Sequence, residues 1–162
     1  MPAVISNTSP IQYLYQIDAL PLLPELFGTI IVPEAVVAEL RAGRERNVLL
    51  PDPVDLPWMA MRSARQSALL PLATRLGDGE REVLALGLEL PGALLVLDDR
   101  DARHHATVLG LKLTGTLGIL LLAKERGKLD ALRPLLDRLD ALGFRLHPST
   151  RDMVLHLAQE LV

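Results

Sequence analysis

Short apolar runs alternate with longer amphipathic ones along this chain. Residues 3–6 (AVIS) form an apolar run ending in the polar stretch Asn7-Thr8-Ser9-Pro10. That order reads as a strand, a turn and a helix. Thr8 or Ser9 is the expected N-cap, and Pro10 suits the first helical turn. The helix then carries Ile11, Leu14, Tyr15 and Ile17 on one face. Residues 20–27 predict a second short helix punctuated by Pro21 and Pro24, and 29–33 (TIIVP) a second strand. A helix follows over 33–43, opened by Pro33 and closed by Gly43. The proline-rich residues 44–60 are less periodic, with an edge strand expected around Val54 to Met59.

The second half repeats the alternation. Residues 64–76 read as a helix interrupted at Pro71, and 77–90 as a helix with Glu80 and Glu82 in its first turn. Residues 93–97 (ALLVL) are apolar at every position, as a strand covered on both faces requires. A helix to Gly110, a strand over 111–115 and helices over 116–129 and 129–144 follow. A last short strand is expected at 144–148 (FRLHP), then a helix capped by Ser149 or Thr150. Strand and helix in strict alternation predict a parallel sheet with helices on both faces, and such sheets bind ligands at the carboxyl ends of their strands.

Composition narrows the classes. At 162 residues the chain fits one domain able to bury roughly 70% of its unfolded surface, with a core over about 3–146 and a terminal helix over about 149–162. It has no cysteine, which excludes disulfides, thiolate-bound zinc and thiol catalysis. No apolar run reaches the ~20 residues of a membrane span. The opening MPAVISNTSP lacks the basic-then-apolar order of a secretory signal. A cytoplasmic protein is expected. A net charge of −3 argues against a chain coated in positive charge for bulk nucleic-acid binding, but not against a local basic rim. Only Lys112, Lys124 and Lys128 are lysines, and the dominance of arginine fits phosphate contact as well as it fits codon usage.

The strand at 94–97 runs straight into Asp98, Asp99 and Arg100. Other polar groups are delivered toward the same sheet edge: Ser6, Asn7 and Thr8 after the first strand, Glu39 late in a helix, Glu80 and Glu82 before the third clear strand. Carboxylates that meet at ~4 Å repel by about 1 kcal/mol in water-like surroundings and about 4 at an effective dielectric near 20. A divalent cation reverses that sign, and oxygen ligands without His or Cys suit Mg²⁺. Simpler roles exist for each residue. Asp98 or Asp99 can cap the next helix, Glu80 and Glu82 can favour a helix dipole, and Arg100 and Arg103 can pair with nearby acids rather than RNA phosphates. His104 and His105 point about 100° apart on a helix, so they do not share one metal easily.

Four motifs in order, Ser6 to Pro10 (SNTSP), Gly79 to Val83 (GEREV), Leu94 to Arg100 (LLVLDDR) and Thr114 to Gly118 (TGTLG), give the chain a specific likeness. It resembles the PIN-domain family, the fold of the VapC-type toxins, from Val4 to about Phe144. The resemblance implies a three-layer α/β/α domain with a ribonuclease site built on Mg²⁺ or Mn²⁺. Carried over by position, it implies Glu39, Glu80, Asp98 and Asp99 as catalytic acids, with Asn7 joining them around the metal. Glu82 competes with Glu80, and Asp98 with Asp99, because the Pro91-Gly92 turn can shift the register by one. Thr8, Ser9 and Thr116 would lie beside the substrate, with Arg100 and Arg103. Asn7 departs from the pattern, standing where most members have an aspartate. An RNA substrate, an antitoxin protein and a homodimer are the implied partners, the last also hinted at by the leucine excess in 117–123 and 129–142. A PIN-like module that binds RNA or protein without strong catalysis is the alternative.

Overall fold

The computed structural model describes residues 2–65 and 75–160. Most of the helix expected over 64–76 lies outside the described residues. The others run β1 (Val4–Ser6), α1 (Thr8–Gln16), α2 (Leu22–Phe27), β2 (Ile30–Pro33), α3 (Glu34–Glu45), β3 (Met59–Arg62), α4 (Asp78–Glu89), β4 (Leu94–Val96), α5 (Arg100–Val108), β5 (Lys112–Thr114), α6 (Thr116–Glu125), α7 (Arg133–Ala141) and α8 (Pro148–Leu157).

The strands form an all-parallel sheet in the order β3-β2-β1-β4-β5. Helices cover it in an α/β/α arrangement: α1 and α2 pack against α6, α4 packs against α5, and α3 touches both α1 and α4. The central strands are apolar on both faces because both faces are covered, with Ile5, Ile30, Val32, Leu95 and Val96 fully buried. The leucines of α6 and α7 are largely accounted for by this core, where Leu120, Leu136 and Leu139 have no exposed surface. No helix among the described residues is long and apolar enough to cross a membrane.

The strand order has one consequence for function. β1 lies between β2 and β4, and the chain leaves β1 to one side and β4 to the other. That is the topological switch point, where a crevice opens at the carboxyl ends. The ladder continues past both strands: Asn7 N–H donates to the Val96 carbonyl (3.1 Å) and Leu97 N–H to the Thr114 carbonyl (2.9 Å). The register therefore sets Asn7 beside Leu97, with Asp98 following at the same sheet edge.

Several local expectations are corrected. The edge strand is Met59–Arg62 rather than 54–59, because Asp52 caps a 3₁₀ turn at Pro53–Asp55 through its bond from Val54 N–H (3.1 Å). Helix α3 runs through Gly43 and stops at Asn47, which takes φ +63° while Val48 N–H bonds back to the Gly43 carbonyl. Residues 144–147 are not a strand. Gly143 closes α7 at φ +85°, Phe144 N–H is committed to the Leu139 carbonyl, and His147 already caps α8. That cap is His147 Nδ1 accepting from Ser149 N–H (3.1 Å), two residues before Ser149 and three before Thr150, because Pro148 opens the helix. The α1 cap position is Asn7, not Thr8 or Ser9. At the other end of the chain, Glu160 accepts from Leu132 N–H and Arg133 N–H and pairs with Lys124, tying α8's end to the start of α7. Burial opposes its ionisation, but those donors outweigh burial and hold its carboxyl below the ordinary range.

Candidate active site

Asn7 occupies the cap position of α1, yet its side chain makes no cap bond. The residue is 2% exposed, and its Oδ1 is buried without a hydrogen-bond partner. A buried oxygen left unpaired costs about 1–3 kcal/mol, so a fold that keeps one needs a reason. Glu39 reaches the same place from α3. Its carboxylate accepts from Gly79 N–H (3.1 Å) and from the Thr8 hydroxyl. Gly79 shows how closely these groups converge. A Cβ there would sit 2.7 and 2.8 Å from the two Glu39 oxygens and 3.0 Å from Asn7 Oδ1. Glycine leaves that point open.

Glu80 enters from the first turn of α4. Burial raises its carboxyl above the ordinary value. The charges of Glu39 and Asp99 raise it too, while its own backbone N–H and the Asn7 amide work the other way. Glu82, its neighbour in sequence, faces elsewhere: its two oxygens accept from Ala35 N–H (2.8 Å) and Ala64 N–H (3.2 Å), bracing the starts of α3 and the segment after β3. The two aspartates divide in a similar way. Asp98 takes both Thr116 N–H (2.8 Å) and the Thr116 hydroxyl (2.6 Å). Burial raises its carboxyl, offset in part by those two bonds and by Arg103. Asp99 caps α5 with Oδ2, accepting from Ala102 N–H (2.9 Å), and its charge acts on Glu80. The simple cap role and a place beside the acid cluster thus fall on the same residue.

Arg103 donates to the Leu97 carbonyl (2.8 Å) and its charge favours ionised Asp98, so it holds the β4 end in place. Arg100 is exposed and lines, with Ser9, Tyr13, Glu80, Asp98, Asp99 and the 143–145 turn, a cavity of about 640 Å³. Thr8 is a partner of Glu39, and Thr116 of Asp98, so both lie one step behind the acids. His105 bonds the Asp101 carbonyl on its own helix. What the sequence did not single out is Gly79, Tyr13 and the Phe144-Arg145 pair. Only the GEREV motif, which begins at Gly79, offered a signal for the first.

Among the described residues no three acidic or histidine side chains meet closely enough to cage a metal by themselves. The smaller set that converges is the Glu39 carboxylate and the unpaired Asn7 Oδ1, with Glu80 and Asp99 within electrostatic reach. All the donors are oxygens. Mg²⁺ is commonly held by one or two carboxylates and several waters, so these residues fit a hard, largely hydrated divalent cation.

The raised carboxyl of Glu80 gives a pH prediction. The folded chain holds this proton more tightly than the unfolded chain. The contribution to stability is therefore full below the unfolded value of about 4.3 and lost as pH rises through the folded value. At pH 7 the ionised side chain is a liability to the metal-free fold. Glu80→Gln is expected to melt higher than the parent at pH 7 in EDTA, with the advantage shrinking toward pH 4. Partial exposure screens the effect, so the rise is on the order of 2–4 °C, as ~1 kcal/mol gives at this chain length. Equal melting curves at pH 7 would mean the neighbouring charges do not strain this site.

The PIN-domain family model matches residues 3–160. This chain belongs to the PIN-domain family. Its all-parallel five-stranded sheet and its helical layers agree with that membership, and PIN domains are generally nucleases. No curated protein and no solved structure gives a significant match.

Proposed function

We propose that this PIN domain is a divalent-metal-dependent ribonuclease, the toxin partner of an antitoxin protein, acting in the cytoplasm as a single-domain chain that pairs into a homodimer. The observation that carries the nuclease reading is the unpaired, buried Asn7 Oδ1 facing the Glu39 carboxylate across the gap at Gly79. Such an oxygen pair is costly without a cation and useful with one. Glu39, Asn7 and Glu80 would hold Mg²⁺ or Mn²⁺, with Asp99 adding negative charge. The ion would supply an acidified water and charge stabilisation at a phosphodiester. Thr8 positions Glu39 through its hydroxyl, and Thr116 fixes Asp98. Arg100, exposed at the cavity, offers a phosphate contact. The toxin assignment, the antitoxin and the dimer rest on the family resemblance. The test is cleavage of a mixed single-stranded RNA pool by folded protein with Mg²⁺ or Mn²⁺, and its loss in EDTA. No cleavage with either metal would overturn it.

A second reading, an RNA- or protein-binding module with little catalysis, is favoured by one feature: Asn7 brings no charge where a metal needs it. Asn7→Asp separates the two. An aspartate at this buried position adds a like charge beside Glu39 and Glu80. The variant is expected to melt several degrees below the parent in EDTA, to gain more from Mn²⁺, and to cleave about tenfold faster. Under the binding reading the Mn²⁺ gain and the rate increase are both absent.

A further inference from the structure

Besides its carboxylates, the acid cavity is lined by aromatic and basic residues. The chain has five aromatic residues in all. Two of them, Tyr13 and Phe144, meet edge to face there with centroids 4.9 Å apart. Phe144 is rigidly placed. Gly143 sits at φ +85°, its N–H bonds the Asp140 carbonyl, and Phe144 N–H bonds the Leu139 carbonyl, the two bonds of a Schellman cap. Arg145 follows on the same turn. It is exposed and takes part in no ion pair among the described residues, and the same holds for Arg100, which lines the same cavity. The Phe144-Arg145 turn also lines a second cavity of about 370 Å³ that shares Asp98 with the first. The turn thus lines two hollows, the first with Glu80, Asp98 and Asp99 and the second with Asp98 alone of the acids.

We propose that the Phe144-Arg145 turn is the substrate-positioning platform of the site, stacking one unpaired nucleobase on the Phe144 ring, which Tyr13 braces edge to face, while Arg145 and Arg100 hold the flanking phosphates. This rests on the ribonuclease reading and adds to it the residues that seat the substrate strand. Three features carry it. An aromatic pair offers a face to any base, which is how sequence-tolerant single-strand binders work. Two unpaired arginines balance a cavity whose floor is negative and would otherwise repel phosphate. Paired hollows with a shared wall suit a strand that continues past the reacting bond rather than a mononucleotide. A duplex keeps its bases stacked and cannot present one to the ring.

The experiment uses the full chain, a fluorescein-labelled 12-nucleotide single-stranded RNA carrying one 2-aminopurine, and its duplex. Phe144→Leu keeps an apolar contact on Tyr13 but removes the ring face. Expected are weaker single-strand binding by roughly 10- to 100-fold, the range that stacking of one base gives, loss of the 2-aminopurine quench, a raised KM with a smaller change in kcat, and no change for the duplex. Phe144→Trp should restore binding and quench. If Phe144→Leu fails to fold, Arg145→Ala, at an exposed position, replaces it and should weaken single-strand binding and flatten its salt dependence. Parent protein that binds and cuts single strands while both variants bind as tightly as the parent leaves the ribonuclease reading standing and overturns the platform. Folded parent that neither binds nor cuts RNA overturns both.

Discussion

Replacing Glu39 by Gln and Asp99 by Asn together should abolish metal-dependent RNA cleavage, by about 10³-fold or more, while leaving a folded protein. These isosteres separate charge from structure. Glu39 accepts from Gly79 N–H and Thr8, and the Gln amide oxygen can still accept from one of them. Asp99 caps α5 through Ala102 N–H, and Asn is as good a cap as Asp. An alanine at 99 would cost ~1 kcal/mol of helix stability and blur the result. What the pair of changes removes is two negative charges facing Glu80. A loss of 10³ corresponds to about 4 kcal/mol of transition-state stabilisation, a reasonable share for a cation held and oriented there. Two readouts are needed: cleavage of single-stranded RNA with Mn²⁺, and melting temperature in EDTA. The variant should melt at or above the parent in EDTA, because repulsion is relieved, and should gain less from Mn²⁺ than the parent does. Retained cleavage with normal metal response would show that these two carboxylates serve only as helix and loop braces.

Gly79→Ala is expected to cost about 10²-fold in cleavage without unfolding the chain. On backbone grounds the change is favourable. Gly79 lies in the first turn of α4, outside the left-handed region, where Ala is worth roughly 0.5–1 kcal/mol more than Gly. The added methyl, however, would sit 2.7 and 2.8 Å from the Glu39 oxygens and 3.0 Å from Asn7 Oδ1, so at least one of them must move. A displacement near 1 Å in a reacting constellation is enough for a loss of that order. Melting temperature should stay within a few degrees of the parent, since the methyl's helix gain and the crowding oppose each other. The signature is the split: activity and Mn²⁺-induced stabilisation fall while metal-free stability holds. If cleavage is unchanged, the gap at Gly79 is a packing detail and the cation sits elsewhere along the acid edge.

Neither variant tests the whole cavity. The Glu80→Gln melting curve reports the strain among the acids, Asn7→Asp reports whether charge at position 7 limits the metal, and the Phe144 variants report on the far wall. Together they separate the floor of the cavity from its sides.

Much of the fold was legible because parallel sheets write themselves plainly. Leu94 to Leu97 are apolar on both faces, and the helices between strands carry apolar stripes at helical spacing. Chain ends of elements were less legible, because capping is decided by competing local bonds. Asn47 ends α3 where Gly43 was expected, and His147 caps α8 where Ser149 was expected. Phe144 to His147 looked like a strand by composition, but Phe144 N–H and the His147 carbonyl are taken by the helices on either side. The same limit applied to the site. The sequence brought forward both Glu80 and Glu82, and both Asp98 and Asp99, since adjacent acids are equivalent on paper. The structure divides each pair by which partner its side chain can reach: Glu82 is held by Ala35 and Ala64 and Asp98 by Thr116, while Asp99 caps α5 within electrostatic reach of Glu80.

By itself, then, the sequence determined the alternation of strands and helices, the parallel sheet, the family likeness and the short list of oxygen-bearing residues at the strand ends. The alternation and the sheet follow from periodicity and order, which are local properties of a chain, and the likeness rests on four short motifs in order. Only the tertiary structure decided that β1 and β4 are neighbours, that Glu39 crosses from α3 to meet Asn7 at Gly79, and that Phe144 lines the same cavity as Glu80, Asp98 and Asp99. Those depend on which surfaces bury against each other, and burial is a property of the packed whole: the unpaired Asn7 oxygen exists only because the sheet edge and three helices close around it.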